Sequence, residues 1–215
     1  MKNCSGSRNG KESIFRRSLR RELDYRGASR SPNAFRSRLV IRGDHEVSFD
    51  RLLDPWQKRD FAAIDESWRV LAGVGKESEG GYWRAYLERP RGHSKTSDLA
   101  AGIAWILEFG KDKLEGIAAA ADRDQGDLIR ESVLRLAKLN PGLCRNLEFK
   151  QFGITNRRTG SRLTVISSDV QSSWGVLPDF VICDEVCHWE KADLWYSLLS
   201  SAAKKRRCLL AVLTN

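Results

Sequence analysis

The chain predicts an α/β fold, a mostly parallel sheet flanked by helices, and two observations carry that expectation. Short apolar runs of strand length, near Tyr82 to Leu87, Leu114 to Ala120, Leu163 to Ile166, Phe180 to Cys183 and from Leu209, alternate with longer stretches of helical character. Two of these runs also stop abruptly in polar groups that packing does not require: Asp184-Glu185 after the fourth, Thr214-Asn215 after the last. Alternating strands and helices imply right-handed crossovers, which bring the carboxyl ends of the strands to one edge of the sheet.

The elements follow in order. Residues from Met1 to about Arg38 are rich in Arg, Ser, Gly and Asn and include Arg16-Arg17 and Arg20-Arg21; this composition predicts a disordered basic arm over residues 1–40, with one domain over 41–215. A helix is expected to open at Asp54-Pro55-Trp56-Gln57, with proline in its first turn, and to run through Val70. Gly73-Val74-Gly75-Lys76 imitates part of a phosphate loop, but Glu77 has no hydroxyl and would repel phosphate, so it is read as a turn. After the strand near Tyr82 to Leu87 comes Arg89-Pro90-Arg91-Gly92-His93-Ser94-Lys95-Thr96, then an apolar helix through Leu107. A strand near Leu114 to Ala120, a helix from about Gly126 to Leu139, a hairpin-like pair at Asn146 to Asn156 and Arg162 to Ile166, the acidic strand, a helix from Ala192 to Ala203 and a final strand complete the reading.

Binding a nucleotide's phosphates calls for backbone N–H groups at a helix N-terminus, a lysine that reaches the outer phosphates and a hydroxyl for magnesium. Lys95 and Thr96 supply the side chains in a strand, loop, helix context. The match to GxxxxGK[ST] is imperfect: Arg89 stands at the first glycine position and Ser94 immediately before the lysine. The downstream acids complete the set, Asp184 toward magnesium and Glu185 toward the attacking water. Loop and acids together predict a P-loop NTPase type of sheet with ATP and Mg2+ as cofactors.

At these residues the chain resembles the large terminase subunit of tailed bacteriophages, the ATPase that drives DNA into a procapsid. Pro90-Arg91-Gly92-His93-Ser94-Lys95-Thr96 is similar to that family's Pro-Arg-Gly-x-Gly-Lys-Ser/Thr, with Ser94 the departure. The resemblance implies phosphate binding by Arg91, Gly92, His93, Ser94, Lys95 and Thr96, metal binding by Thr96 and Asp184, and catalysis by Glu185 and Arg91, with Arg89 the rival arginine. It implies adenine recognition by Gln57, and coupling of hydrolysis to DNA movement by Thr214 and Asn215. Gly116 to Gln125, Leu163 to Asp169, Ser172-Ser173-Trp174-Gly175 and Pro178-Asp179 resemble the intervening family segments, so the likeness runs from Leu53 to Asn215. Implied partners are double-stranded DNA, a portal protein, a small terminase subunit and other copies in a ring. The implied place is the host cytoplasm, docked transiently at the procapsid portal and absent from the mature virion. The family's nuclease domain would follow the coupling segment, so no DNA cleavage is expected from these residues. A helicase-like translocase is the alternative enzyme, although Glu185 is followed by Val186-Cys187-His188 and not by a helicase-type acidic run; a non-hydrolysing nucleotide- or DNA-binding fragment is the alternative outside enzymes.

Composition agrees. With 215 residues, 41% of them hydrophobic, the chain can bury a core, and a net charge of +9 favours an acidic polymer as partner. No apolar run is long enough to span a bilayer and the N-terminus lacks a signal-peptide core, so a soluble intracellular protein with no membrane partner is expected. Five cysteines without even spacing suggest reduced thiols. Cys183, Cys187, His188 and Cys208 invite a zinc reading, which the placement of Cys183 inside an apolar strand and the lack of a second Cys/His pair oppose.

Overall fold

A computed structural model describes residues 19–42, 46–76, 81–167 and 177–215. Helix α1 covers 19–28 and α2 Pro32–Arg36, followed by the small antiparallel pair β1 (Val40–Arg42) and β2 (Glu46–Ser48) and a 3-10 turn at Phe49–Leu52. Helix α3 (Pro55–Leu71) leads to β3 (Arg84–Glu88), α4 (Lys95–Phe109), β4 (Glu115–Ala120) and α5 (Arg123–Leu139). Strands β5 (Leu147–Lys150), β6 (Gly153–Asn156), β7 (Arg162–Ser167) and β8 (Phe180–Cys183) precede α6 (Asp193–Ala203) and β9 (Leu209–Thr214). The imitation phosphate loop after α3 is a turn, with Gly73 at φ 71.

Seven strands form one sheet in the order β3-β9-β8-β4-β7-β6-β5. The first five in that order run parallel, as the alternation of elements required; β6 and β5 add an antiparallel extension. The expected hairpin therefore exists, and its last strand doubles as a member of the parallel sheet.

Alternation within the central strands builds two cores. Phe180 and Ile182 of β8, with Leu209, Ala211 and Leu213 of β9, face α3, α4 and α5; Val181, Cys183, Leu210 and Val212 face α6. Helix α4 is buried on every side from Leu99 through Phe109, and within that stretch all but Gly102 and Glu108 are apolar side chains. Gly116 of β4 is paired with Phe180, whose ring takes the space a Cβ would need. No helix among the described residues is long and apolar enough to cross a membrane.

The expected boundary at residue 40 needs correction. Residues 1–18, including Arg16-Arg17, lie outside the described residues, but 19–40 fold onto the domain. Ala28, Phe35 and Leu39 are fully buried in the main core. Tyr25 donates its hydroxyl to the buried Glu108 at 2.8 Å, and Arg36 clasps Asp65 through two bonds of 2.9 and 2.5 Å. Basic composition misled because a few apolar residues, Ala28, Phe35 and Leu39, are enough to dock the segment although Leu19 and Leu23 stay exposed, and because Arg36 is neutralised inside the fold.

This placement is testable. Phe35→Ala removes a ring set edge-on to Phe109 at 5.9 Å and should cost about 3–5 kcal/mol in chemical denaturation. A loss under about 0.5 kcal/mol, typical of a surface change, would mean that residues 19–40 do not belong to the folded unit.

Candidate functional site

Strand β3 sits at one side of β9 and β8 at the other, so the loop leaving β3 and the acids leaving β8 flank the end of β9. With strands about 4.8 Å apart, the two exits lie roughly 10 Å from each other, a span that side chains can close.

The loop is anchored by a buried polar cluster. Arg89 donates to Asp98 at 2.7 Å and to Asp60 at 2.6 Å, and its guanidinium lies over the Trp56 ring, 4.5 Å from the centroid. Gln57 donates to both Asp98 oxygens, at 3.2 and 2.9 Å, while its own oxygen accepts the Asp54 amide at 2.9 Å. Burial raises the Asp98 carboxyl above its ordinary range, and the bonds from Gln57 and Arg89 pull it back. Arg89 is thus bound up in holding the loop, whereas Arg91 is exposed, beside the hollow that the loop shares with Glu185.

That hollow, of about 340 Å3, is walled by Arg91 to Ser97 and Glu185. Gly92, at φ 80, turns the chain, and Ser94 precedes α4 in the left-handed region at φ 56. The expected glycine position is therefore one that glycine favours, and serine sits there under strain, its side chain making no capping bond. First-turn amides of α4 at Lys95, Thr96 and Ser97 have no partner within the helix and point toward the hollow's side of its N-terminus. Lys95 is buried, its ammonium donating to the Arg89 carbonyl and to Asn215 Oδ1, both at 2.6 Å, and lying 3.4 Å from Glu185.

Asp184 and Glu185 follow the last residue of β8. Asp184 is buried and its amide continues the ladder to Ala119 at 2.8 Å; the Thr96 hydroxyl hydrogen-bonds its carboxylate, yet its Oδ1 has no partner. Burial, then the Glu185 charge, pushes the Asp184 carboxyl up to about 6, against the pull of Lys95 and Thr96. An orphaned buried carboxylate oxygen beside a threonine hydroxyl is a hard, oxygen-only donor set of the kind magnesium takes. Glu185 leaves the strand at φ 47, a strained turn that swings its carboxylate back over Lys95.

A cavity of about 480 Å3 opens on the other side of the loop, between Ile41, Leu53, Trp56, Gln57, Ser94 and Leu136. Apolar side chains from Ile41, Leu53, Trp56 and Leu136 alternate there with polar ones, Gln57, Asp54, Asp98 and Arg135 among them, a mixed lining that a flat heteroaromatic ring with polar edges would match. The candidate site residues fall as follows: the loop, Lys95, Thr96, Asp184, Glu185 and Asn215 meet, Thr214 supplies the backbone oxygen that accepts the Arg89 amide at 3.1 Å, and Gln57 stands on the cavity wall. Asp60 and Asp98 were missed. The sequence signal for them is faint, an acid one turn into each of the two helices that flank the loop. Ser168-Asp169 and Ser172 to Gly175 lie outside the described residues.

The family model "Terminase large subunit, ATPase domain" matches residues 83–215. The chain belongs to that family. The matched span begins after the Gln57 segment and includes the loop, the acids and the β9 end. Among solved structures the chain is similar to the large terminase of bacteriophage HK97, with a TM-score of 0.70 and 18% identity over 86% of this chain and 37% of that one. It is also similar to the large terminase ATPase domain of Thermus phage P74-26, with a TM-score of 0.52 and 15% identity over 71% of this chain and 69% of that one. At such identities the likeness is one of fold. This chain spans 37% of the length of the HK97 protein. No curated protein matches it in sequence.

Two consequences of this terminase-type site concern stability. Ser94→Gly relieves a left-handed serine, worth roughly 1–2 kcal/mol, against a glycine entropy cost of about 0.4–1 kcal/mol; a net gain of about 0.5–1 kcal/mol should appear in denaturant unfolding. Asp184→Asn should raise Tm in the presence of EDTA at pH 8. The sign follows from the raised pKa: stability is full below the unfolded value near 4, is lost as pH rises to about 6, and stays lost above. The variant's advantage should therefore reach about 3 kcal/mol at most, at alkaline pH, and vanish near pH 4.

Proposed function

We propose that this chain is the ATP-hydrolysing motor domain of a viral terminase large subunit, one that drives double-stranded DNA into a procapsid. The observation that carries the reading is the meeting, at the end of β9, of a helix N-terminus bearing Lys95 and Thr96 with the acid pair, one acid holding a buried oxygen without a partner.

In this reading the α4 amides and Lys95 hold the β- and γ-phosphates, and Lys95 exchanges its bonds to Arg89 and Asn215 for phosphate oxygens. Thr96 and Asp184 hold Mg2+, which neutralises charge on the phosphate oxygens when bound. Glu185 is then freed from Lys95 to orient a water in line with the γ-phosphorus and take its proton. Arg91, exposed at the rim, spreads charge onto the transferring phosphoryl group. Gly92, His93 and Ser94 shape the loop backbone. The base lies in the cavity beside Trp56, where Gln57 Oε1, having accepted only the Asp54 amide, keeps a lone pair for the adenine amino group.

Coupling follows from one contact. Lys95 donates to Asn215 Oδ1; in this reading a phosphate competes for the same ammonium, so nucleotide binding loosens Asn215 at the end of the strand carrying Thr214, and that change is passed on to DNA movement. The net charge of +9 suits a polyanionic track. Portal protein, small terminase subunit and other copies in a ring are the proposed partners, in the host cytoplasm while docked at the procapsid. DNA cleavage is not part of the activity proposed for these residues.

The test is Mg2+-dependent ATP hydrolysis by the purified chain, with and without double-stranded DNA. Lys95→Ala should abolish nucleotide binding, whereas Glu185→Gln should retain it and lower turnover by about 100-fold or more, the scale of a lost general base. Turnover unchanged in both variants would remove the proposal.

A further inference from the structure

Beyond Glu185, the chain folds into a 3-10 turn, Val186–His188, that brings two further donor groups back toward that carboxylate. The Glu185 carboxylate, the Cys187 thiol and a ring nitrogen of His188 lie within 4.8 Å of one another. The thiol donates to Glu185 Oε2 at 3.9 Å, on the side of the carboxylate away from Lys95, which faces Oε1 at 3.4 Å. Cys187 and His188 are both exposed, so water and ions reach them.

The other cysteines suggested by the sequence do not join. Cys183 and Cys208 are buried in the layer under α6, where burial pushes both thiols up, far from a thiolate that could bind metal at neutral pH. Glu185 replaces them as the third donor, a role invisible in Cys/His spacing.

We propose that Glu185, Cys187 and His188 form a binding site for a soft divalent transition-metal ion, Zn2+ fitting best, and that its occupation withdraws Glu185 from the nucleotide site and stops ATP turnover. The second half rests on the function proposed above; the first does not. Tetrahedral zinc with sulfur at about 2.3 Å and nitrogen or oxygen near 2.0–2.2 Å places its donors roughly 3.3–3.6 Å apart. From 4.8 Å or less, the exposed Cys187 and His188 and the half-buried Glu185 close that gap by rotamer changes of about 1 Å, leaving water as the fourth ligand. The thiol loses its proton to solvent on binding. Magnesium does not compete, since it favours oxygen donors over sulfur and imidazole. Bound metal would hold the Glu185 carboxylate on the outer face of the turn, so the oxygens that should activate water are engaged.

Cobalt(II) and zinc(II), added alone to the full chain, test the site without nucleotide. Cobalt should bind one equivalent and show a thiolate-to-metal charge-transfer band that zinc displaces. That band should vanish in Cys187→Ser, persist in Cys4→Ser, and affinity should fall in His188→Ala by more than the roughly 10–100-fold lost with an outer-shell partner. In Mg-ATP turnover, zinc should inhibit the parent chain, a zinc chelator should reverse this, and Cys187→Ser should be as active as the parent but insensitive to zinc. A band surviving in Cys187→Ser, or no band at all, overturns the site. Zinc binding with unimpaired turnover overturns the inhibition. Absence of turnover under all conditions, with cobalt binding intact, counts against the ATPase reading and leaves the metal site standing.

Discussion

Asp98 is the group on which the arrangement depends. It lies buried in the first turn of α4, and from there it accepts Arg89 from the exit of β3 and Gln57 from the start of α3. Arg89 continues to Asp60, so the beginnings of two helices and the end of a strand are tied through one carboxylate. A buried charge is tolerated only while its partners are present, and removing one leaves about 3–5 kcal/mol of uncompensated cost. That all-or-none character makes the cluster a reference frame. It sets where α4 begins, and with it where the amides that face the phosphate hollow are held.

Around that frame the site itself is unfavourable. Ser94 and Glu185 both take left-handed backbone, Asp184 carries a buried oxygen without a partner, and Lys95 is held among a carbonyl, an amide and a carboxylate. Each feature costs stability, offset by the two cores on either side of the sheet and above all by the all-round burial of α4. In the function proposed above, the same groups are the ones assigned to the cation, the phosphates and the water. The same strained turn that aims Glu185 toward Lys95 brings Cys187 and His188 to within 4.8 Å of its carboxylate.

The legible parts of the chain were those in which local pattern and global role coincide. Lys95-Thr96 at a helix start and Asp184-Glu185 at a strand end are adjacent pairs, readable because loop and strand keep neighbours together. Arg89 and Arg91, two residues apart, were not separable in the sequence: one is buried between Asp60, Asp98 and the Trp56 ring, the other exposed, and those are contacts with residues distant in the chain. Gln57 was assigned to a base, and the fold shows that its amide also serves Asp54 and Asp98. The basic N-terminal segment was the largest misreading, because a composition rich in arginine carries no sign that Arg36 meets Asp65 or that Tyr25 meets Glu108.

By itself the sequence determined the order of elements, the parallel character of the sheet and the identity of the groups at the strand ends, since periodicity and chain direction are local properties that survive without knowledge of neighbours. Tertiary structure alone decided which arginine is a brace, why a serine before Lys95 is strained, and that Asn215 occupies Lys95. Those facts depend on contacts between residues far apart along the chain, Lys95 and Asn215 among them, and on burial, which converts the same charged side chain from a solvated surface group into a structural tie.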